Sequence, residues 1–142
     1  MRSLFPDVNL WLALHHDVHP RHRAALSWFE ALDTQSILIF CRQTQLGFFR
    51  LLTTALVMDD KPLTNTQCWD LFAKWTEQRK AELWSEPAGI DPIFQRNAAH
   101  DRSSPKTWTD AYLAAFAEAA GLTLVTFDKV LAAKTKGAVL LD

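Results

Sequence analysis

At 142 residues, 49% of them hydrophobic and 22% charged, the chain has the balance of one ordinary globular domain (1–142), which excludes a disordered or fibrous protein. That length buries a core without disulfide or metal staples. A formal net charge of −1 excludes a protein that grips nucleic acid by bulk positive charge, but leaves room for a local basic rim around an acidic site.

Four glycines and six prolines leave little material for linkers, and no internal repeat is visible. Cys41 and Cys68 form no CxxC pair and read as reduced thiols, not as a disulfide or zinc framework. The opening Met-Arg-Ser-Leu-Phe-Pro-Asp lacks the apolar run of a signal peptide. No apolar stretch approaches the roughly 20 residues of a membrane span. The expectation is a cytoplasmic protein with no membrane segment.

Leu4-Phe5 ends a short first strand, and Val8 to Leu14 is a brief helix. His19-Pro20 opens a second helix, in which Ala24, Ala25, Trp28, Phe29 and Leu32 recur at helical spacing. Ser36 to Phe40 is a continuous apolar run of strand length, as in a buried parallel strand. Gln43 to Thr54 predicts a helix, Asp59 to Leu63 a turn, and Thr64 to Lys80 an amphipathic helix. Leu83-Trp84 is a short strand, Pro92 to His100 a helix and Asp101 to Lys106 a polar loop. Thr107 to Ala120 is the clearest helix, stopped by Gly121 at its C-terminus. Leu122 to Thr126 is a strand, Asp128 to Lys134 a short helix and Ala138 to Leu141 a last strand.

Strands alternating with helices need crossover connections. The fold class is therefore α/β, a mainly parallel central sheet with helices on both faces. In such folds the ligand crevice lies beyond the carboxyl ends of the strands. Asp7 follows the first apolar run, Asp128 follows Leu-Thr-Leu-Val-Thr-Phe, and Asp110 lies in the first turn of the alanine-rich helix. Three acids distant in sequence thus converge on one sheet edge. Carboxylates brought together repel, and a hard cation such as Mg²⁺ or Mn²⁺ relieves that repulsion, activates a water and stabilises a leaving oxygen. Phosphodiester hydrolysis is the chemistry this set suggests. Each acid also has a plainer reading. Asp7 and Asp128 precede helices and suit N-caps, and Thr107 with Asp110 makes a T-x-x-D capping-box pattern.

Leu-Phe-Pro-Asp7-Val-Asn9-Leu-Trp resembles the opening strand and first acid of the PIN-domain family, specifically the VapC-type toxins of bacterial toxin–antitoxin pairs. Thr109-Asp-Ala-Tyr-Leu-Ala-Ala-Phe-Ala-Glu-Ala-Ala-Gly-Leu-Thr-Leu-Val-Thr-Phe-Asp128 resembles the family's C-terminal signature, with later acids at Asp110 and Asp128. Phe40 to Thr53 resembles its middle segment, and the likeness runs essentially end to end. The resemblance implies a PIN-like domain and a metal-dependent endoribonuclease acting on structured RNA of the tRNA or rRNA class. It also implies a VapB-type antitoxin partner and a homodimer. Asp7, Asp110 and Asp128 become the Mg²⁺ or Mn²⁺ ligands, with Asn9 as polar support. The departure is Gln45, where many members carry glutamate. It brings no charge, weakens metal affinity, favours a one-metal site, and keeps open an inert module that binds RNA or a partner protein.

Arg50, Arg102 and Lys106 are the cationic candidates for RNA contact, the last two in the loop that leads to Asp110. The tract from His15 to Arg23 straddles a helix break with no cysteine to complete a zinc set, so it reads as a solvated turn or a rim that meets phosphate. Trp11, Trp28 and Trp108 are expected in or near the core. Trp69, Phe72 and Trp75 share a helical stripe that is either core or an antitoxin groove. A phosphatase with D-x-D after its first strand is set aside because Asn9 stands at the second position. A receiver domain is set aside for want of paired acids and a late lysine.

Overall fold

In the computed structural model, which describes residues 2–142, the chain builds five strands and seven helices. Strand β1 (Ser3–Pro6) leads to α1 (Val8–His15) and α2 (His22–Glu30). β2 (Ile37–Phe40) is followed by α3 (Arg42–Leu52) and α4 (Asn65–Glu77). β3 (Ala81–Leu83) leads to α5 (Ile90–Ala98) and α6 (Thr107–Ala120). β4 (Thr123–Thr126), α7 (Lys129–Lys134) and β5 (Val139–Leu140) complete the domain. The strands run in the order β3-β2-β1-β4-β5, and every pairing is parallel.

The apolar strands divide their side chains between two cores by the period-two rule. Leu4, Leu38, Phe40 and Val125 face one core, which also holds Leu10, Trp11, Phe48 and Leu52 of α1 and α3. Their neighbours Phe5, Ile39 and Leu124 face the other, with Leu113, Phe116 and Ala117 of α6 and Leu131 of α7. Helices therefore cover both faces, as the continuous apolar strands require. Trp11 is the hub of the first core, stacked at 4.1 Å on Phe40 and meeting Trp75 edge-on at 5.1 Å.

Most expected elements lie within two residues of their observed limits. The strand expected at Leu83-Trp84 is instead Ala81–Leu83, because Leu38, Ile39 and Phe40 pair with Ala81, Glu82 and Leu83. Trp108, expected near the core, is 58% exposed, since it stands in the first turn of α6, ahead of the inward-facing Ala111, Leu113, Ala114, Phe116 and Ala117. Trp11 is buried, Trp28 is half-buried against the first core, and both cysteines are free and buried. Trp69 is exposed, while Phe72 and Trp75 pack partly into that core. Among the described residues no helix is long and apolar enough to cross a membrane.

Gly121 ends α6 at φ +69°, a conformation that costs any L side chain. Gly121→Ala is expected to destabilise the fold by about 1 kcal/mol. A lower urea midpoint at an unchanged slope is the measurement that shows it.

The histidine tract is structural. His15 Nδ1 meets the Trp11 carbonyl at 2.9 Å, and its Nε2 accepts the Trp75 indole N–H at 2.8 Å, which fixes the neutral Nδ1–H form. His16 pairs with Asp59 at 2.6 Å, and His22 Nδ1 bonds the Ala13 carbonyl. Burial holds the His15 imidazole below its usual value, outweighing the Trp11 contact. A folded value below the unfolded one makes stability fall as the pH drops below about 6.5. His15→Phe is expected to flatten that acid-side slope in urea titrations run between pH 7 and 5.

Candidate active site

The sheet order places a switch point at β1. The chain leaves β1 for β2 on one side, and returns only after β3 to lay β4 on the other. Connections diverge there, opening a crevice at the carboxyl ends of β1 and β4. Asp7 begins where β1 ends, and its backbone N–H extends the ladder by donating to the Val125 carbonyl at 3.1 Å.

Asp7 is 6% exposed, and both its oxygens are engaged. Oδ1 accepts from the Leu10 N–H at 3.0 Å, capping α1, and Oδ2 accepts the hydroxyl of Thr126. The Thr126 oxygen in turn accepts the Asp128 N–H at 2.9 Å. One buried hydroxyl thus ties the ends of β1 and β4 together. Asp128 caps α7, its Oδ1 accepting from Val130 and Leu131 at 2.8 and 3.2 Å. The capping readings of Asp7 and Asp128 are therefore true, and both still leave carboxylate oxygen lone pairs for a ligand.

For Asp110 the capping reading fails. Lys106, not Thr107, occupies the N-cap of α6 and makes no side-chain cap bond. The Thr107 hydroxyl donates to the Ser104 carbonyl instead, and Asp110 has no hydrogen-bond partner among the described residues. It lies half-buried one turn into α6.

Asp7 and Asp110 both feel neighbouring carboxylate charge. Burial raises the Asp7 carboxyl above the usual carboxylate range against the pull of its Thr126 and Leu10 hydrogen bonds, and the charges of Asp128 and Asp110 push it further up. Asp110 is raised by burial and by Asp128, with Lys134 opposing. Raised carboxyls in a crevice mark a site short of positive charge. Among the described residues no three His, Cys, Asp or Glu side chains form a ready-made cation cage. All-oxygen donors, of which one or two bind directly while water and substrate phosphate supply the rest, suit Mg²⁺ or Mn²⁺ and not Zn²⁺. The residues present fit such an ion.

Gln45 is 2% exposed in α3, and its side-chain oxygen accepts from the Arg42 guanidinium, not from any group of the three acids. The start of α3 does approach that of α6, where the Gln43 amide donates to the Thr109 hydroxyl at 3.4 Å. Asn9 is exposed in the first turn of α1, two residues beyond Asp7. Arg50 lies elsewhere, in a groove between α3 and α4 with Phe49, Asn65 and Trp69. Arg102 lines a cleft with His100, Thr107 and Lys134, and Lys106 is exposed at the start of α6. The histidine tract reaches this end of the sheet through Arg21, whose guanidinium lies 4.8 Å over the Phe127 ring beside Asp128.

Three residues at the site escaped sequence reasoning. Thr126 left a signal, as a polar residue closing an otherwise apolar strand end immediately before the acid-bearing turn. Arg42 stands three residues before Gln45, a spacing that joins side chains on a helix. Lys134 left none, because its nearness to Asp110 depends on how α7 folds back against α6.

A PIN domain model matches residues 4–137. Ribonuclease VapC41 of Mycobacterium tuberculosis is 38% identical over 129 residues, covering 88% of each chain. Ribonuclease VapC44 of the same organism is 35% identical over 134 residues, covering 93% of this chain and 89% of that one. Among solved structures, Mycobacterium tuberculosis VapC20, described as a sarcin–ricin loop cleaving toxin, superposes with a TM-score of 0.64 at 15% identity, over 92% and 94% of the two chains. FitAcB from Neisseria gonorrhoeae gives 0.56 at 15% identity over 96% of each. Those two likenesses carry the fold, and the sequence relatives carry the family. The chain belongs to the PIN domain family, with the VapC ribonucleases as its relatives.

Proposed function

We propose that this chain is a metal-dependent endoribonuclease, the toxin of a toxin–antitoxin pair. The observation that supports the reading is the crevice at the switch point, with Asp7 and Asp128 at the ends of β1 and β4 and with Asp7 and Asp110 raised by burial and by the charge of neighbouring acids. The names of the VapC41 and VapC44 relatives support RNA as the substrate. Asp7 and Asp110 are the principal ligands for Mg²⁺ or Mn²⁺, and Asp128 supports them from the mouth of the crevice. When bound, such an ion lowers the pKa of a water and stabilises charge on a phosphodiester.

The chain's own groups then act as follows. Thr126 holds the Asp7 carboxylate in one orientation and lowers its pKa, keeping it ionised and aimed. Asp110, free of hydrogen bonds, keeps its oxygens for the ion. Arg102 and Lys106 supply positive charge toward RNA phosphates. A structured RNA of the tRNA or rRNA class, a VapB-type antitoxin and a homodimer complete the proposal.

A second reading is favoured by one observation. Gln45, neutral and bonded to Arg42, adds no charge to the acid cluster, as in a fold kept for binding without cleavage. RNA incubated with Mg²⁺ or Mn²⁺ separates the two. Cleavage that is lost with EDTA and in Asp110→Asn supports the enzyme. RNA binding without cleavage in any metal supports the binding module.

A further inference from the structure

Beside the acid cluster lies a cleft of about 220 Å³ between α5, α6 and α7, lined by Asn97, His100, Arg102, Thr107 and Lys134 over a floor of Ala111 and Ala114. The floor belongs to the same helix as Asp110. One wall is the loop carrying Arg102, and the other is the last turn of α7, the helix that Asp128 caps. Its polar lining contains no carboxylate, although Asp110 directly precedes the Ala111 of its floor. The Thr107 hydroxyl is spent on the Ser104 carbonyl, so it accepts from His100 Nε2 at 3.3 Å, which fixes His100 as a donor at that nitrogen. α6 begins here without a side-chain cap, so the partial positive charge of its N-terminus adds to that of the cations. Lys134 reaches far enough toward Asp110 to pull that carboxyl down.

We propose that Lys134 and Arg102 form a phosphate subsite that holds the RNA backbone at the linkage next to the one cut, with Lys134 as an RNA-binding residue of the site. The proposal rests on the ribonuclease reading for the word "cut", but the subsite itself is an RNA-binding claim. Lys134 serves the acid cluster twice. Without RNA it balances part of the carboxylate charge, and with RNA it turns to a phosphate, so the strand is drawn in beside Asp110. The side chain is exposed at a helix end, and its removal leaves the core untouched.

The test is fluorescence anisotropy of a labelled RNA hairpin with the full chain in EDTA, titrated with KCl, for wild type, Lys134→Ala, Lys134→Arg, Arg102→Ala and, as a control, Lys74→Ala on the exposed side of α4. Lys134→Ala and Arg102→Ala should each weaken binding several-fold and lower the slope of log affinity against log salt by roughly 0.7 to 0.9, the loss of one phosphate contact. Lys134→Arg should keep both values, and Lys74→Ala should change neither. In cleavage assays Lys134→Ala should raise KM more than it lowers kcat. Unchanged affinity and slope in both alanine variants, an equal loss in Lys74→Ala, or no RNA binding by the wild type would each overturn the subsite. Absence of cleavage by the wild type, with binding and its Lys134 dependence intact, would overturn the ribonuclease reading alone.

Discussion

Asp7→Asn is expected to abolish RNA cleavage while raising the melting temperature. The two effects have one cause. The carboxylate is buried, feels the charges of Asp128 and Asp110, and is held above its usual range, so its ionised form is carried at a cost to the fold. A folded value above the unfolded one means that stability is greatest below the unfolded value and is lost as pH rises through the folded one. At neutral pH the amide removes that penalty. It also keeps the N-cap of α1, since asparagine caps as well as aspartate. It loses part of the gain at Thr126, whose hydroxyl must find another acceptor. The balance is a gain on the order of 1 kcal/mol, or about 2–4 °C for a domain of this size. The advantage should shrink as the solution is acidified and wild-type Asp7 takes up a proton. Cleavage should drop more than about 100-fold, as for the loss of a group that fixes a catalytic charge. Added Mg²⁺ should raise the melting temperature of the wild type and not of the variant. A variant that still cleaves, or that melts several degrees lower, would show that Asp7 is a cap and nothing more.

That pairing of lost activity with gained stability separates a site from a scaffold. An N-cap aspartate replaced by alanine costs about 1 kcal/mol whatever else is nearby. Asp128 shows the contrast. It is exposed, spends one oxygen on two N–H groups of α7, and draws its importance from its position at the end of β4. The sequence could not tell these cases apart, because a cap and a ligand both place aspartate between a strand and a helix. Burial distinguishes them, and burial of Asp7 comes from β4 arriving beside β1 after more than a hundred intervening residues.

The fold was more legible than the site. Apolar runs of strand length, split by helices, leave only a parallel sheet with crossovers, and four of the five strands lie where those runs stand, β3 being displaced to Ala81–Leu83. The α6 helix was legible to the residue, since alanines set its body and Gly121 its end. For Trp108 position outweighs residue type: it stands in the first turn of α6, ahead of the buried stretch that starts at Ala111 and includes Phe116, so its ring lies outside the core, edge-on to Phe94. The T-x-x-D pattern misled for a related reason. Pro105 and Lys106 carry the chain into helical turns early enough that Thr107 is already inside α6 and cannot cap it. Gln45 was seen as a missing charge. Its partner Arg42, which completes the local account, was within reach of the three-residue helical spacing.

Thr126→Val carries the second large effect and tests the hydroxyl that joins the two acid-bearing strand ends. Valine keeps the shape of the buried threonine but removes the donor to Asp7 and the acceptor for the Asp128 N–H. The Asp7 partner is buried and the Asp128 N–H part-buried, so the fold should lose about 1–3 kcal/mol. Asp7 also loses the strongest influence lowering its carboxyl, so its pKa rises further. The acid limb of the cleavage profile should therefore move to higher pH, and activity at a fixed low concentration of Mg²⁺ should fall roughly 10–100-fold, as when a group that orients a metal ligand is removed. Thr126→Ser restores donor and acceptor together and should recover both the limb and the activity. A merely structural role predicts a different outcome: Thr126→Val would melt earlier, yet at a temperature where it is fully folded its pH profile and Mg²⁺ requirement would match the wild type. A moved acid limb in the valine variant, reversed by serine, is the result that makes Thr126 a positioning residue for Asp7.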